Sequence, residues 1–171
     1  MKTKWLTDPA HSEIFFKVKH MVISTVTGEF TKFQGSIESE SDDFSNAKFD
    51  FSIDVDSINT KIADRDTHLK SEDFFDVSHY PKLTFTSDSG IKDNKITGIL
   101  TIRDVSKEIT LDADFGGIIK DPWNNQRAGF EFTGKLNRKD FGLNWSQMTE
   151  AGGLVVSNEV KLQINLEFIA Q

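Results

Sequence analysis

A chain of 171 residues with 27 acidic and 20 basic residues, for a formal charge of −7, and with no cysteine fits one all-β unit and excludes several functions at once. No Lys/Arg cluster is dense enough to track a phosphate backbone, so nucleic acid is not an expected partner, and disulfides and thiolate nucleophiles or metal ligands are ruled out with the sulfur they need. Fifteen Phe against three Met and one Tyr supply large, stiff apolar surface without hydrogen-bonding groups, which suits a dry lumen or a well-filled core.

The chain opens Met1-Lys2-Thr3-Lys4-Trp5-Leu6-Thr7-Asp8-Pro9, with neither an apolar h-region nor a small-residue cleavage site. That sets a cytoplasmic expectation, or a periplasmic or extracellular one had a natural N-terminus been removed. Alternation of apolar and polar residues then predicts eight strands, at 12–20, 28–38, 47–56, 82–89, 95–103, 106–118, 127–136 and 158–169. The plainest are Phe49, Phe51, Ile53 and Val55 against Asp50, Ser52, Asp54 and Asp56, and Val160, Leu162, Ile164, Leu166 and Phe168 against Lys161, Gln163, Asn165 and Glu167. Turn-forming clusters lie between them, at Ser41-Asp42-Asp43, Lys92-Asp93-Asn94, Arg103-Asp104-Val105-Ser106 and Asp121-Pro122-Trp123-Asn124-Asn125, and imply mostly antiparallel neighbours.

Two stretches break the alternation. In 57–81, Ile62, Arg65 and Leu69 recur at helical intervals and Pro81 stops the run, which predicts a short helix across one barrel end. The second, 137–157, carries Glu150-Ala151-Gly152-Gly153 and is a candidate lid. Eight strands of about ten residues, at ~3.3 Å per residue, predict a closed barrel with a long, narrow interior. No apolar run reaches the ~20 residues of a membrane helix, and Asp50, Asp54, Asp56, Lys161 and Glu167 sit where a transmembrane barrel would need lipid-facing apolar groups. The protein is expected to be soluble and a single domain over 1–171, with a homodimer left open.

Chemical motifs are sparse. His11, His20, His68 and His79 form no His-x-x-x-His pair, so no metal site is expected. His20 shares the inward parity of Ile14, Phe16 and Val18 and reads as a hydrogen-bonded structural His or a polar group at the barrel mouth. Arg65-Asp66-x-His68 is the densest ionisable cluster; it is either a contact for a polar or anionic head group or an anchor pinning the helix to the rim. No Gly-x-Ser-x-Gly elbow presents a nucleophile, and Asp140 with Glu150 is indistinguishable from solvated loop acids. Phe74, Phe75 and Trp145 are either gates over an entrance or a cork that completes the core.

A longer set of residues carries a family resemblance: Trp5-x-x-Asp8-x-x-His11-Ser12, Val18-x-His20, Gly28-x-Phe30, Arg65-Asp66-x-His68-Leu69-x-Ser71-x-Asp73-Phe74-Phe75-Asp76, Tyr80-Pro81-x-Leu83-x-Phe85-x-Ser87, Gly98-x-Leu100-Thr101-Ile102 and Asn137-Arg138-x-Asp140-Phe141-Gly142-Leu143-x-Trp145. Together they resemble the YceI family. The resemblance implies an eight-stranded antiparallel lipocalin-like barrel that binds polyisoprenoid or other long-chain amphiphiles in an elongated apolar tunnel. The chain departs from the family at Arg103-Asp104-Val105-Ser106-Lys107, where relatives carry a His-Gly-Val-Thr type of turn.

The expectation is a non-enzymatic carrier, storage or sequestering protein for an isoprenoid lipid or isoprenoid quinone, with that lipid as partner and no required cofactor. Phe16, Val18, Phe49, Phe51, Ile53, Phe74, Phe75, Phe85, Leu100, Phe115, Phe130, Phe132, Trp145, Leu162 and Ile164 are the expected lining, and Arg65, His68 and Arg138 the expected head-group contacts. Two rivals stand beside it: a lipid-modifying enzyme using His68 and Asp66 as acid and base, and a barrel filled by its own phenylalanines.

Overall fold

The computed structural model describes residues 2–145 and 156–171. Twelve strands are found among them: β1 (Thr3–Thr7), β2 (Glu13–His20), β3 (Ser24–Phe30), β4 (Phe33–Ser39), β5 (Lys48–Asp54), β6 (Ile58–Asn59), β7 (Lys82–Ser87), β8 (Ile91–Lys92), β9 (Lys95–Ile102), β10 (Val105–Lys120), β11 (Gln126–Asn137) and β12 (Glu159–Ala170). One α-helix, α1 (Ala63–Lys70), and three single-turn 3-10 segments accompany them. All pairings are antiparallel, and the order β1-β4-β5-β7-β9-β10-β11-β12 closes on itself through β1 with β12. The result is a closed eight-stranded barrel.

Two of the eight staves are broken, which the alternation alone did not resolve. β12 pairs with β2 over its first half and with β1 over its second, so β1 and β2 are one stave interrupted at Asp8–Ser12. The predicted strand 28–38 is likewise two, β3 against β2 and β4 against β1 and β5. Phe30 and Phe33 both point inward although they are three residues apart, an odd step that a continuous strand cannot make. Thr31 and Lys32 absorb it by swinging out to Ser57: Thr31 N donates to Ser57 O (3.3 Å) and Lys32 N to Ser57 Oγ (3.0 Å). β1 was missed altogether because its apolar residues are adjacent, Trp5 buried and Leu6 facing out.

The two barrel ends differ. At the lower end Phe44, fully buried, packs against Trp5 (5.5 Å between ring centroids), Phe115 (5.1 Å) and Phe130 (5.0 Å), and Phe168 meets Phe130 at 5.7 Å. These rings plug the floor. β10 bends there through a bulge between Phe115 and Gly117, the latter at φ 104°, a conformation suited to glycine.

Outside the plug, Arg127 ties three segments together. Its Nε donates to Asp121 (2.7 Å), and one terminal nitrogen to both Asp8 (2.8 Å) and Glu167 (3.0 Å). His11 lies 2.7 Å from Asp8, and Asp8, His11 and Glu167 are close enough to suggest a cation site, but both carboxylates already accept from the guanidinium. The Arg127 contact holds the carboxyls of Asp8 and Asp121 below their ordinary value of 3.8. Because these folded-state values are depressed, the contribution is present above pH 3.8 and lost as pH falls through them. Arg127→Gln is therefore expected to lower the melting temperature at neutral pH, with the gap to the parent protein closing under acid. A constant gap from pH 7 to 2 in thermal melts would show that the network contributes no charge-dependent stability.

The upper end carries the irregular segment between β5 and β7. α1 buries no residue and is held by its partners: Arg65 donates to Thr60 Oγ1 (2.8 Å) and Thr60 O (2.6 Å), and Asp66 accepts from Thr60 N (2.9 Å) and from its hydroxyl. After Lys70 a knot of backbone bonds, including Phe74 N to Ser71 O (3.0 Å) and Phe75 N to Leu69 O (3.0 Å), turns both phenylalanines toward the barrel. The predicted helix is thus present. Among the described residues no helix is long and apolar enough to cross a membrane.

Candidate functional site

Above the aromatic floor the barrel is hollow, with a cavity of about 350 Å³. Its lower wall is set by Ile96, Leu111, Leu166, Phe49 and Phe132, its middle by Phe16, Phe51, Phe85, Leu100, Leu162 and Ile164, and its mouth by Val18, Val26, His20, Leu69, Phe75 and Trp145. From Leu166 to Val160 on β12 the lining spans roughly 20 Å at ~3.3 Å per residue. The shape suits one extended chain.

Closed barrels of this size are usually filled by side chains, and glycines keep this one open. A methyl on Gly28 would stand 2.2 Å from the end of the Phe16 ring, one on Gly35 would stand 2.2 Å from Phe51, and one on Gly98 would stand 2.6 Å from Phe85. Each ring therefore occupies the space that a side chain on the neighbouring strand would fill, and lines the lumen from there. The same device appears as aromatic cover over strand glycines in designed sheets.

Most of the expected lining falls on the cavity: Phe16, Val18, Phe49, Phe51, Ile53, Phe74, Phe75, Phe85, Leu100, Phe132, Trp145, Leu162 and Ile164. Phe115 and Phe130 do not. They stack on one another (5.1 Å) and meet Phe44 edge-on, because Phe44, a turn residue at φ 58°, folds up into the barrel and covers them. Ile96, Leu111, Leu136, Val160 and Leu166 line the wall and were legible from strand parity, whereas Thr60 enters only through the way 55–62 folds back.

The polar groups at the mouth are engaged with their own chain. Arg138 is 3% exposed; its guanidinium donates to the carbonyls of Leu143 (2.7 Å), Trp145 (2.6 Å), Ser157 (3.0 Å) and Val156 (3.4 Å). Burial draws its pKa downward. Arg138 is thus a clamp on the strand-to-loop connection, not a free head-group contact, and Arg65 is an anchor on Thr60. His68 meets Asp73 (2.9 Å) and stands edge-on to Trp145 (4.9 Å) and Phe74 (5.1 Å). His68 and Asp66 are not brought together as an acid–base pair: Asp66 is held by Thr60. His20 lines the mouth, where its backbone bridges Val156. Asp140 is exposed, and Glu150-Ala151-Gly152-Gly153 lies outside the described residues, so the 137–157 lid is only partly visible.

An eight-stranded antiparallel barrel, plugged at one end and hollow and apolar at the other, places the molecule among lipocalin-like barrels. The chain belongs to the YceI-like domain family, whose pattern matches residues 5–168. A UPF0312 protein of Staphylococcus aureus strain N315 is 40% identical over 167 residues, covering 97% of both chains. The YceI protein of Campylobacter jejuni is 36% identical over 90% of each chain, with a TM-score of 0.75. Burkholderia cenocepacia BcnA, at 21% identity, shares the fold with a TM-score of 0.78, covering 94% of this chain and 98% of its own.

Proposed function

We propose that the barrel binds the chain of a long apolar or amphiphilic lipid, of the polyisoprenoid or isoprenoid-quinone class, and acts as its carrier or sequestering protein. The observation that carries this is the apolar cavity of about 350 Å³, within the range of ligand-binding cavities, whose rim cations are already hydrogen-bonded to the protein. A cavity walled almost wholly by apolar side chains favours an apolar occupant. A Saccharophagus degradans domain of the same fold, 18% identical with a TM-score of 0.71, is a polyisoprenoid-binding domain, and this agrees with the reading.

Native mass spectrometry of protein purified from its own host, followed by solvent extraction, is the test. A long-chain apolar ligand in nearly one-to-one amount is expected. Homogeneous apo protein that takes up neither added isoprenoid quinone nor prenyl lipid would overturn the proposal. The enzyme alternative requires a chemically altered lipid whose formation stops in His68→Ala, since a general acid or base contributes on the order of a hundredfold or more.

A further inference from the structure

The loop joining β2 to β3 places the wrong residues in a difficult backbone. Met21 and Val22 hold positive φ (52° and 69°), which is a genuine outlier for a β-branched side chain. In the β8–β9 hairpin the same region is occupied by Asp93 and Asn94 (53° and 57°), residues that tolerate it. The tip is also apolar and turned to solvent: Met21 is 45% exposed, Val22 69% and Ile23 86%. Folding the barrel requires neither the strain nor the exposure.

Position and charge indicate what covers this tip. The inward side chains of the same hairpin, Val18, His20 and Val26, line the cavity mouth, so tip and lumen form one apolar surface. Ile62, 51% exposed, follows β6, which pairs with β3 at Glu29 and Phe30, and is a further exposed apolar residue on that strand pair. The outward face of β2 carries exposed Lys17 and Lys19, and Lys61 is exposed beside Ile62. Residues 17–28 contain no acid, in a chain whose formal charge is −7. Apolar residues at a tip with lysines behind them match the headgroup–acyl boundary of an anionic leaflet.

We infer that the β2–β3 tip is a membrane-docking element: Met21, Val22 and Ile23 enter the leaflet, Lys17 and Lys19 meet anionic headgroups, and the cavity mouth is set down on the bilayer. A long apolar chain then passes between leaflet and barrel without crossing water. So few inserted side chains give weak, reversible attachment, which suits a protein that must leave with its cargo. The docking stands on the tip alone; its use for loading rests on the lipid-binding proposal above.

The test is co-sedimentation with vesicles of phosphatidylcholine mixed with phosphatidylglycerol, run beside uptake of an isoprenoid quinone from detergent micelles. The parent protein is expected to sediment with the mixed vesicles and to be released by salt. Ile23→Asp, and separately Val22→Ser, should weaken vesicle binding on the order of tenfold or more while leaving the melting temperature and micellar uptake unchanged. A parent that ignores vesicles, or variants that bind them as the parent does, would overturn the inference. So would a parent that is dimeric and indifferent to vesicles but becomes monomeric on Ile23→Asp, since a second copy would then cover the tip. Tip-dependent vesicle binding with no quinone uptake in any variant would uphold docking and count against the ligand.

Discussion

Phe51→Asp is expected to cost the barrel several kcal/mol, enough to unfold it or abolish ligand uptake at neutral pH. Phe51 sits on β5 between Gly35 and Phe85 in the register, stacked on Phe33 at 5.8 Å and facing the lumen. A carboxylate placed there meets hydrocarbon on every side, and an unpaired buried charge costs several kcal/mol against a total stability of roughly 5–15 kcal/mol. The matched control lies on the same strand. Asp54 points outward and pairs with Lys82, so Asp54→Asn removes a surface ion pair worth about 0–1 kcal/mol. Chemical denaturation of the two variants, with uptake of a prenyl quinone as second readout, decides the matter. Equal behaviour would mean that the inward and outward faces of β5 have been exchanged.

Arg138→Ala should be nearly as damaging for a different reason. The guanidinium donates to four carbonyls, those of Leu143, Trp145, Val156 and Ser157, and its removal takes that donor from one buried and three part-buried acceptors. At about 1–3 kcal/mol for each acceptor that water cannot reach, a loss on the order of 3–5 kcal/mol is expected. Lysine should not rescue it, because one ammonium cannot reproduce the planar fork. The measurements are urea midpoints and hydrogen exchange at 138–145, where protection should fall before global unfolding. An unchanged midpoint in Arg138→Ala would show that solvent already reaches those carbonyls.

The barrel was legible because strand parity repeats over long stretches such as Phe49 to Val55, and because turn chemistry at Asp93-Asn94 specifies a tight hairpin. Parity also located most of the wall. It failed where two apolar residues are adjacent, as at Trp5-Leu6, and where a stave bends, as at Phe30 and Phe33. Hollow and filled barrels place the same residue types inward, so periodicity could not separate them. The difference lies in the Phe-over-Gly contacts between strands, which are register facts. Phe115 and Phe130 were assigned to the wall because nothing local announces that Phe44, from a turn, covers them. Arg65, His68 and Arg138 were expected as head-group contacts, yet their partners here are backbone carbonyls, a hydroxyl and Asp73, and sequence records charge far better than it records hydrogen-bond acceptors.

The seam where the barrel closes has a consequence for how the molecule is made. Trp5 lies opposite Ala170 and Phe16 opposite Leu162, so the first stave to leave the ribosome waits for the last before it gains a partner on that side. Until then β1, β4, β5, β7, β9, β10 and β11 form an open sheet whose phenylalanine face is wet and whose outer strands β1 and β11 lack neighbours, with the β2–β3 hairpin not yet joined to it. Contacts of such long sequence separation make closure a late and slow event in folding. Nascent chains stalled before β12 should accordingly be recognised by chaperones, while the finished chain, zipped along β12, has no seam left to offer.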